Sequence, residues 1–132
     1  MSIGRVYTYK LNDEYELVCW GYSTSSSWGH EARLLKNGYE FASAKIRYYN
    51  RTWERFEFES VMYSALENYK ASKLNEYLDD YKYKHDLKGY KDGESFEKPF
   101  PKGVKKQVVD EFNAQPIWQE LHDCIENQSW KH

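Results

Sequence analysis

Near Ser60 the hydrophobic pattern of this chain changes period, from two residues to the roughly 3.6 of a helix. Before that point apolar and aromatic residues alternate with polar ones. After it they recur three and four apart. A chain with strands first and helices second folds as α+β, with the helices packed on one face of an antiparallel sheet. The expectation is a single domain over residues 1–132. Its β-rich part, residues 1–59, forms a sheet of four to five strands. Its helical part, residues 60–128, holds three to four helices and a long loop at 85–103.

The strands can be followed in turn. "RVYTYKL" (5–11) alternates, with Tyr7, Tyr9 and Leu11 on one side, and Asn12-Asp13 makes a turn. "YELVCWGY" (15–22) is a second strand, and "STSSSWG" (23–29) is a loop. "HEARLLK" (30–36) and "YEFASAKIRYY" (39–49) flank Asn37-Gly38. A type I′ hairpin turn needs positive φ at both central residues, which Asn and Gly adopt at little cost.

The next stretch, "YYNRTWERFEF" (48–58), reads as another hairpin closed by Asn50-Arg51-Thr52. A three-residue loop pairs Tyr49 with Trp53, Ile46 with Phe56 and Ala44 with Phe58. One face then carries Ala42, Ala44, Ile46, Tyr48, Phe56 and Phe58. The other carries Lys45, Arg47, Tyr49, Trp53, Arg55 and Glu57. A two-residue loop would set Phe56 against Lys45, so the coherent apolar face selects the longer loop. The rival is a helix that already begins near Asn50; the two-residue spacing of Phe56 and Phe58 speaks against it.

Met62, Ala65, Leu66 and Tyr69 form one helical stripe, and Leu74, Tyr77, Leu78 and Tyr81 form another rotated from it. Either the helix bends near Ala71-Ser72, or one long helix meets different partners at its two ends. Residues 85–103 hold three of the seven glycines and two of the three prolines, which reads as a long loop. Val104, Val108, Val109 and Phe112 mark a short helix. Pro116 opens a last one, with Ile117, Leu121, Cys124 and Ile125 on its apolar side.

Composition narrows the function classes. Mean hydropathy is -0.97, yet 18% of residues are aromatic, and disordered chains are poor in aromatics. The net charge of -2 fits neither a general nucleic-acid binder, which is basic, nor a strongly acidic mimic of nucleic acid. Cys19 and Cys124 lie far apart without a pairing motif, and the reading is two reduced thiols in a cytosolic protein. No apolar run is long enough to span a bilayer, so no membrane role is expected.

Catalytic motifs are missing. His30, His85, His122 and His132 have no metal-ligand spacing and there is no CxxC, so no metal or other cofactor is expected. His122 and Cys124 are two apart on a helix and point away from each other. The serines at 23 and 25–27 precede His30 without a nucleophile elbow. No Gly-rich phosphate loop is present. The chain reads as a non-enzyme.

Binding is better supported. Lys45, Arg47, Tyr49, Trp53 and Arg55 share the exposed sheet face in the adopted register, with Arg51 at the hairpin tip. Aromatic rings flanked by cations suit a protein interface, or a platform on which single-stranded nucleic acid stacks. The ordinary alternative is cross-strand pairing with Glu54, Glu57 and Glu59. A second candidate is the segment 82–106, where eight lysines stand against four carboxylates.

The run Asn50-Arg51-Thr52-Trp53-Glu54, followed by an aromatic-Glu-aromatic-Glu-Ser-Val pattern to Val61, resembles small uncharacterised proteins of phages and prophages of Gram-positive bacteria. The likeness includes the "NGYE" turn and covers roughly residues 28–66. It brings no activity with it. It implies a phage accessory protein in the cytoplasm of a bacterial host. Such a protein would act by stoichiometric binding to a host protein or ribonucleoprotein complex, as anti-CRISPR and other anti-defence inhibitors do. The alternative is a single-stranded nucleic-acid-binding module, and the exposed sheet face could also pair with a second copy of the chain as a homo-oligomer.

Overall fold

The computed structural model describes residues 2–48 and 58–127. Within them the chain is α+β, an antiparallel sheet followed by helices. In order the elements are β1 (Ser2–Ile3), β2 (Tyr7–Lys10), β3 (Tyr15–Ser23), β4 (Trp28–Lys36), β5 (Tyr39–Tyr48), α1 (Phe58–Lys84), β6 (Lys88–Lys91), β7 (Glu94–Glu97), α2 (Val104–Asn113) and α3 (Pro116–Glu126). They divide into two compact units. One takes Met1–Tyr69 and Gln119–His132, the other Lys70–Trp118. The division cuts α1 and α3 and does not fall at the switch from strands to helices.

In the first unit β3, β4 and β5 are consecutive antiparallel neighbours, and β1 and β2 both pair with β3. The β2–β3 turn is built by Asn12, whose Oδ1 accepts the backbone N–H of Glu14 and of Tyr15. The β4–β5 turn is the expected one, with Asn37 at φ 53 and Gly38 at φ 85. A bulge between Leu34 and Leu35 shifts the register next to that turn.

Alternation gives the sheet two unlike faces. Tyr15, Leu17, Cys19, His30, Ala32 and Leu34 are buried on one of them. Val61, Met62, Ala65, Leu66 and Tyr69 of α1 and Leu121 and Ile125 of α3 complete that core. The Tyr15 and Tyr69 hydroxyls meet at 2.9 Å inside it, and the Phe41 ring stands edge-on to Tyr69. The amide of Asn68 donates to the carbonyl of Ser43, which ties α1 to β5.

Two consecutive cross-strand pairs organise the far end of the sheet, Gly21 with His30 and Tyr22 with Gly29. Each glycine accommodates the ring of its neighbour. A Cβ on Gly21 would stand 3.2 Å from Nε2 of His30, on the covered face. A Cβ on Gly29 would stand 2.7 Å from the Tyr22 hydroxyl, on the other face. Rings laid over glycine in this way pin the register of neighbouring strands.

In the second unit the end of α1 carries the β6–β7 hairpin. Lys82 Nζ lies 2.9 Å from Glu97 Oε1, and Lys88 Nζ lies 3.2 Å from Asp79 Oδ1. The hydrogen bond from Lys82, and then its charge, hold the Glu97 carboxyl below its usual range. Lys82 also caps the Phe100 ring at 4.9 Å. The core here is Tyr77, Val108, Phe112 and Trp118, with the Trp118 indole N–H donating to the Phe112 carbonyl at 3.0 Å.

Several expectations are corrected. Residues 85–103 are not a structureless loop, because β6 and β7 lie within them. Asp92-Gly93, with φ of 55 and 80, makes the same kind of turn as Asn37-Gly38. Pro99, Pro101 and Gly103, which suggest a loop, follow this hairpin and lie outside it. Phe58 opens α1 and does not continue a strand, so the helix starts two residues before Ser60 and Ala44 faces Ala32 on β4 with no Phe58 pair. Trp28 and Gly29 belong to β4 and not to the preceding loop. The two stripes of α1 resolve as one continuous helix that belongs to different cores along its length. The expected hairpin strand around Trp53 lies outside the described residues.

Candidate binding face

The second face of the sheet is open among the described residues. Strand alternation brings together Glu16, Val18, Trp20 and Tyr22 of β3, Glu31, Arg33 and Leu35 of β4, and Glu40, Ser43, Lys45 and Arg47 of β5. Lys45 and Arg47 therefore stand on the exposed face, on the positions that the alternation of β5 assigned to them. Tyr49, Arg51, Trp53 and Arg55 lie outside the described residues.

Sequence reasoning missed the centre of this face. Arg33 places its guanidinium 4.8 Å from the centre of the Trp20 ring. Its Nη2 reaches Glu31 at 3.2 Å and its Nε reaches Glu40 at 3.7 Å. Lys45 places its ammonium 4.5 Å from the centre of the Tyr22 ring. Trp20 and Arg33 are two residues apart from direct opposition, a same-face diagonal that only the paired register reveals. The signal that could have found it is a repeat: Trp20-Gly21-Tyr22 and Trp28-Gly29-His30 both place glycine before a ring.

Tyr22 is unusual for its position. It lies on the open face yet is only 6% exposed, and its hydroxyl is buried without a hydrogen-bond partner. An unsatisfied buried hydroxyl costs about 1–3 kcal/mol. Tyr22→Phe is therefore expected to raise the unfolding free energy by about 1 kcal/mol, read from urea denaturation. A loss of stability would mean that the hydroxyl is satisfied in solution.

The charges of the face nearly cancel. With Lys10 of β2 included, four cations, Lys10, Arg33, Lys45 and Arg47, stand against Glu16, Glu31 and Glu40. Lys10 pairs in register with Glu16, and Glu31 with Lys45.

Elsewhere the chemistry-bearing groups are placed without a catalytic arrangement among the described residues. Burial pushes the Cys19 thiol up to about 12. Burial, then Glu120 and Asp123, also raise the Cys124 thiol, so both cysteines stay protonated at neutral pH. Both are free of disulfides. His122, Asp123 and Glu126 bring possible metal-ligand atoms within 4.8 Å of one another on the exposed side of α3. Tyr63 packs against the His122 ring at 4.8 Å. All three residues are solvated, and no buried group points into the cluster.

The lysine-rich segment is largely committed to structure. Lys82 and Lys88 hold the hairpin, Lys98 covers Phe96 and Lys106 pairs with Asp110. No helix of the described residues is long and apolar enough to cross a membrane. Comparison of the chain with protein-family models, with curated proteins and with solved structures gives no match.

Proposed function

We propose that this protein acts without catalysis, by stoichiometric binding of a protein partner through the open face of its N-terminal sheet. The observation that carries this reading is the pair of ordered cation–ring contacts at the centre of that face, Arg33 on Trp20 and Lys45 on Tyr22. Tryptophan, tyrosine and arginine are the residues that anchor protein interfaces. Here they are already held in place by β3, β4 and β5, so little side-chain entropy is lost on docking. The likeness to phage accessory proteins supplies the setting. The partner is then a defence protein or ribonucleoprotein of the bacterial cytoplasm, such as a CRISPR effector.

The single-stranded nucleic-acid reading is less well supported. Base stacking needs bare ring faces, and here Arg33 and Lys45 occupy them. Neutralising phosphates needs an excess of cations, and the face is close to balanced.

The test is affinity capture from a lysate of a Gram-positive host, followed by mass spectrometry and nuclease treatment. Trp20→Ala combined with Arg33→Ala is expected to reduce capture roughly thirtyfold, as loss of a central anchor does. Capture should survive nuclease. Undiminished capture by the double variant, with its fold verified by circular dichroism, would remove the open face from the function.

A further inference from the structure

The register lays out the open face of the first unit in rows that cross β3, β4 and β5, two residues apart along the strands. Glu16, Leu35 and Glu40 form the row nearest the Asn37-Gly38 turn, and Val18, Arg33 and Ser43 form the next. Trp20, Glu31 and Lys45 follow, and the row of Tyr22 and Gly29 comes last. Acidic, cationic and apolar positions therefore change from row to row. Such a face can be complementary to itself when it is turned end for end.

We propose that two copies of this chain cover one another's open face, with their strands antiparallel about a two-fold axis that runs across the strands and passes over β4 between Arg33 and Glu31. Identical sheet faces can stack in alignment about an axis along the strands or about one across them. With the axis along the strands each row meets itself. Arg33 then falls on Arg33, Glu31 on Glu31 and Glu16 on Glu40, so like charges meet. With the axis across the strands the second row meets the third, and the first meets the last. Arg33 of each copy faces Glu31 of the other, Val18 faces Trp20, and Ser43 faces Lys45. Arg33 already holds Glu31 of its own chain at 3.2 Å, so the two pairs close into a ring of four alternating charges around the axis. Leu35 comes over Gly29, where the Tyr22 ring lies. Glu16 and Glu40 bring acceptors to the row of Tyr22, whose hydroxyl has none in the single chain. The strands are nine, nine and ten residues long, so the covered face measures about 30 Å by 15 Å, or roughly 900 Å² in plan for two copies. That is the size of a weak, reversible interface. The dimer does not rest on the function proposed above. Where both hold, the partner displaces the second copy from the face they share.

The experiment is sedimentation velocity on the purified full chain over a concentration series from about 1 μM to about 1 mM. The expected result is a monomer that passes into a dimer as concentration rises. Arg33→Glu alone and Glu31→Arg alone each set like charges against one another at the axis, and each should weaken the dimer about tenfold or more. Mixed in equal amounts, the two variants restore opposite charges at both contacts, and a heterodimer should form with nearly the wild-type constant. Both changes in one chain keep the ion pair within the chain as well as those between copies, so that double variant should dimerise like the wild type. Circular dichroism verifies the fold of each variant. A wild type that stays monomeric over the whole series would overturn the dimer. Single variants that dimerise as tightly as the wild type would overturn the face. A mixture and a double variant that both stay monomeric would overturn the antiparallel axis.

Discussion

Gly29→Ala is expected to lower the unfolding free energy by about 3 kcal/mol, one of the largest effects of a single added methyl in this chain. The cause is backbone. A Cβ at this position falls on the carbonyl oxygen of Ile46 in β5, which belongs to the β4–β5 pairing and cannot rotate away. It also meets the Tyr22 hydroxyl at 2.7 Å, and Tyr22 is itself wedged under Lys45. Gly21→Ala is the internal control. There the added Cβ meets only the edge of the His30 ring, at 3.2 Å, with the Gly29 carbonyl at 3.8 Å. A ring edge can shift by a few tenths of an ångström, so the expected cost is about 1 kcal/mol. Urea denaturation of the two variants side by side is the measurement. Equal costs would show that the Ile46 carbonyl does not confine position 29, and the pinned register at Tyr22–Gly29 would lose its explanation. Adding Tyr22→Ala to Gly29→Ala should recover only a minor part of the loss, because the backbone clash stays.

What could be read from the residues, and what could not, follows from the range of the interactions. Asn37-Gly38 is a local device: positive φ at both positions is demanded by the turn alone, so the dipeptide announces itself without knowledge of the rest of the fold. Asp92-Gly93 is the same device, and it was hidden by Pro99, Pro101 and Gly103, which lie outside the hairpin they seemed to dissolve. The exposed positions of Lys45 and Arg47 follow from period two along β5. The placing of Arg33 over Trp20 does not, since it depends on how β3 and β4 are registered over nine pairs. Phe58 illustrates a boundary decided by the helix that follows it. Its spacing from Phe56 suits a strand, but the run from Glu59 onward sustains an α-helix, and its first turn extends back to include Phe58. The change of partners along α1 was visible as two rotated stripes, though the division at Tyr69 and Lys70 reflects tertiary contacts that no local pattern encodes.

Acidification from pH 7 to pH 5 is expected to remove about 2 kcal/mol of stability through His30 alone. His30 is 7% exposed on the covered face of the sheet, with its ring over Gly21 and edge-on to Trp28. Burial pushes its imidazole down to about 3, from the 6.5 of an unperturbed histidine. The folded protein therefore holds this side chain neutral throughout that window, and the unfolded chain takes up a proton. A group whose protonation is disfavoured in the fold contributes its full stability above the unfolded value and loses it as the pH falls toward the folded one. The slope is about 1.4 kcal/mol per pH unit below 6.5, which amounts to about 2 kcal/mol by pH 5. The lowered Glu97 carboxyl has the same sign, but most of its loss falls below pH 5 and it is common to the wild type and the variant compared below. The measurement is urea denaturation at pH 7, 6 and 5 for the wild type and for His30→Leu. The variant's absolute stability is free to differ, because only the slope carries the claim. A wild-type slope that matches the leucine variant between pH 7 and 5 would mean that His30 takes up its proton in the folded state, and that the end of the core beside Gly21 and Trp28 is open to water.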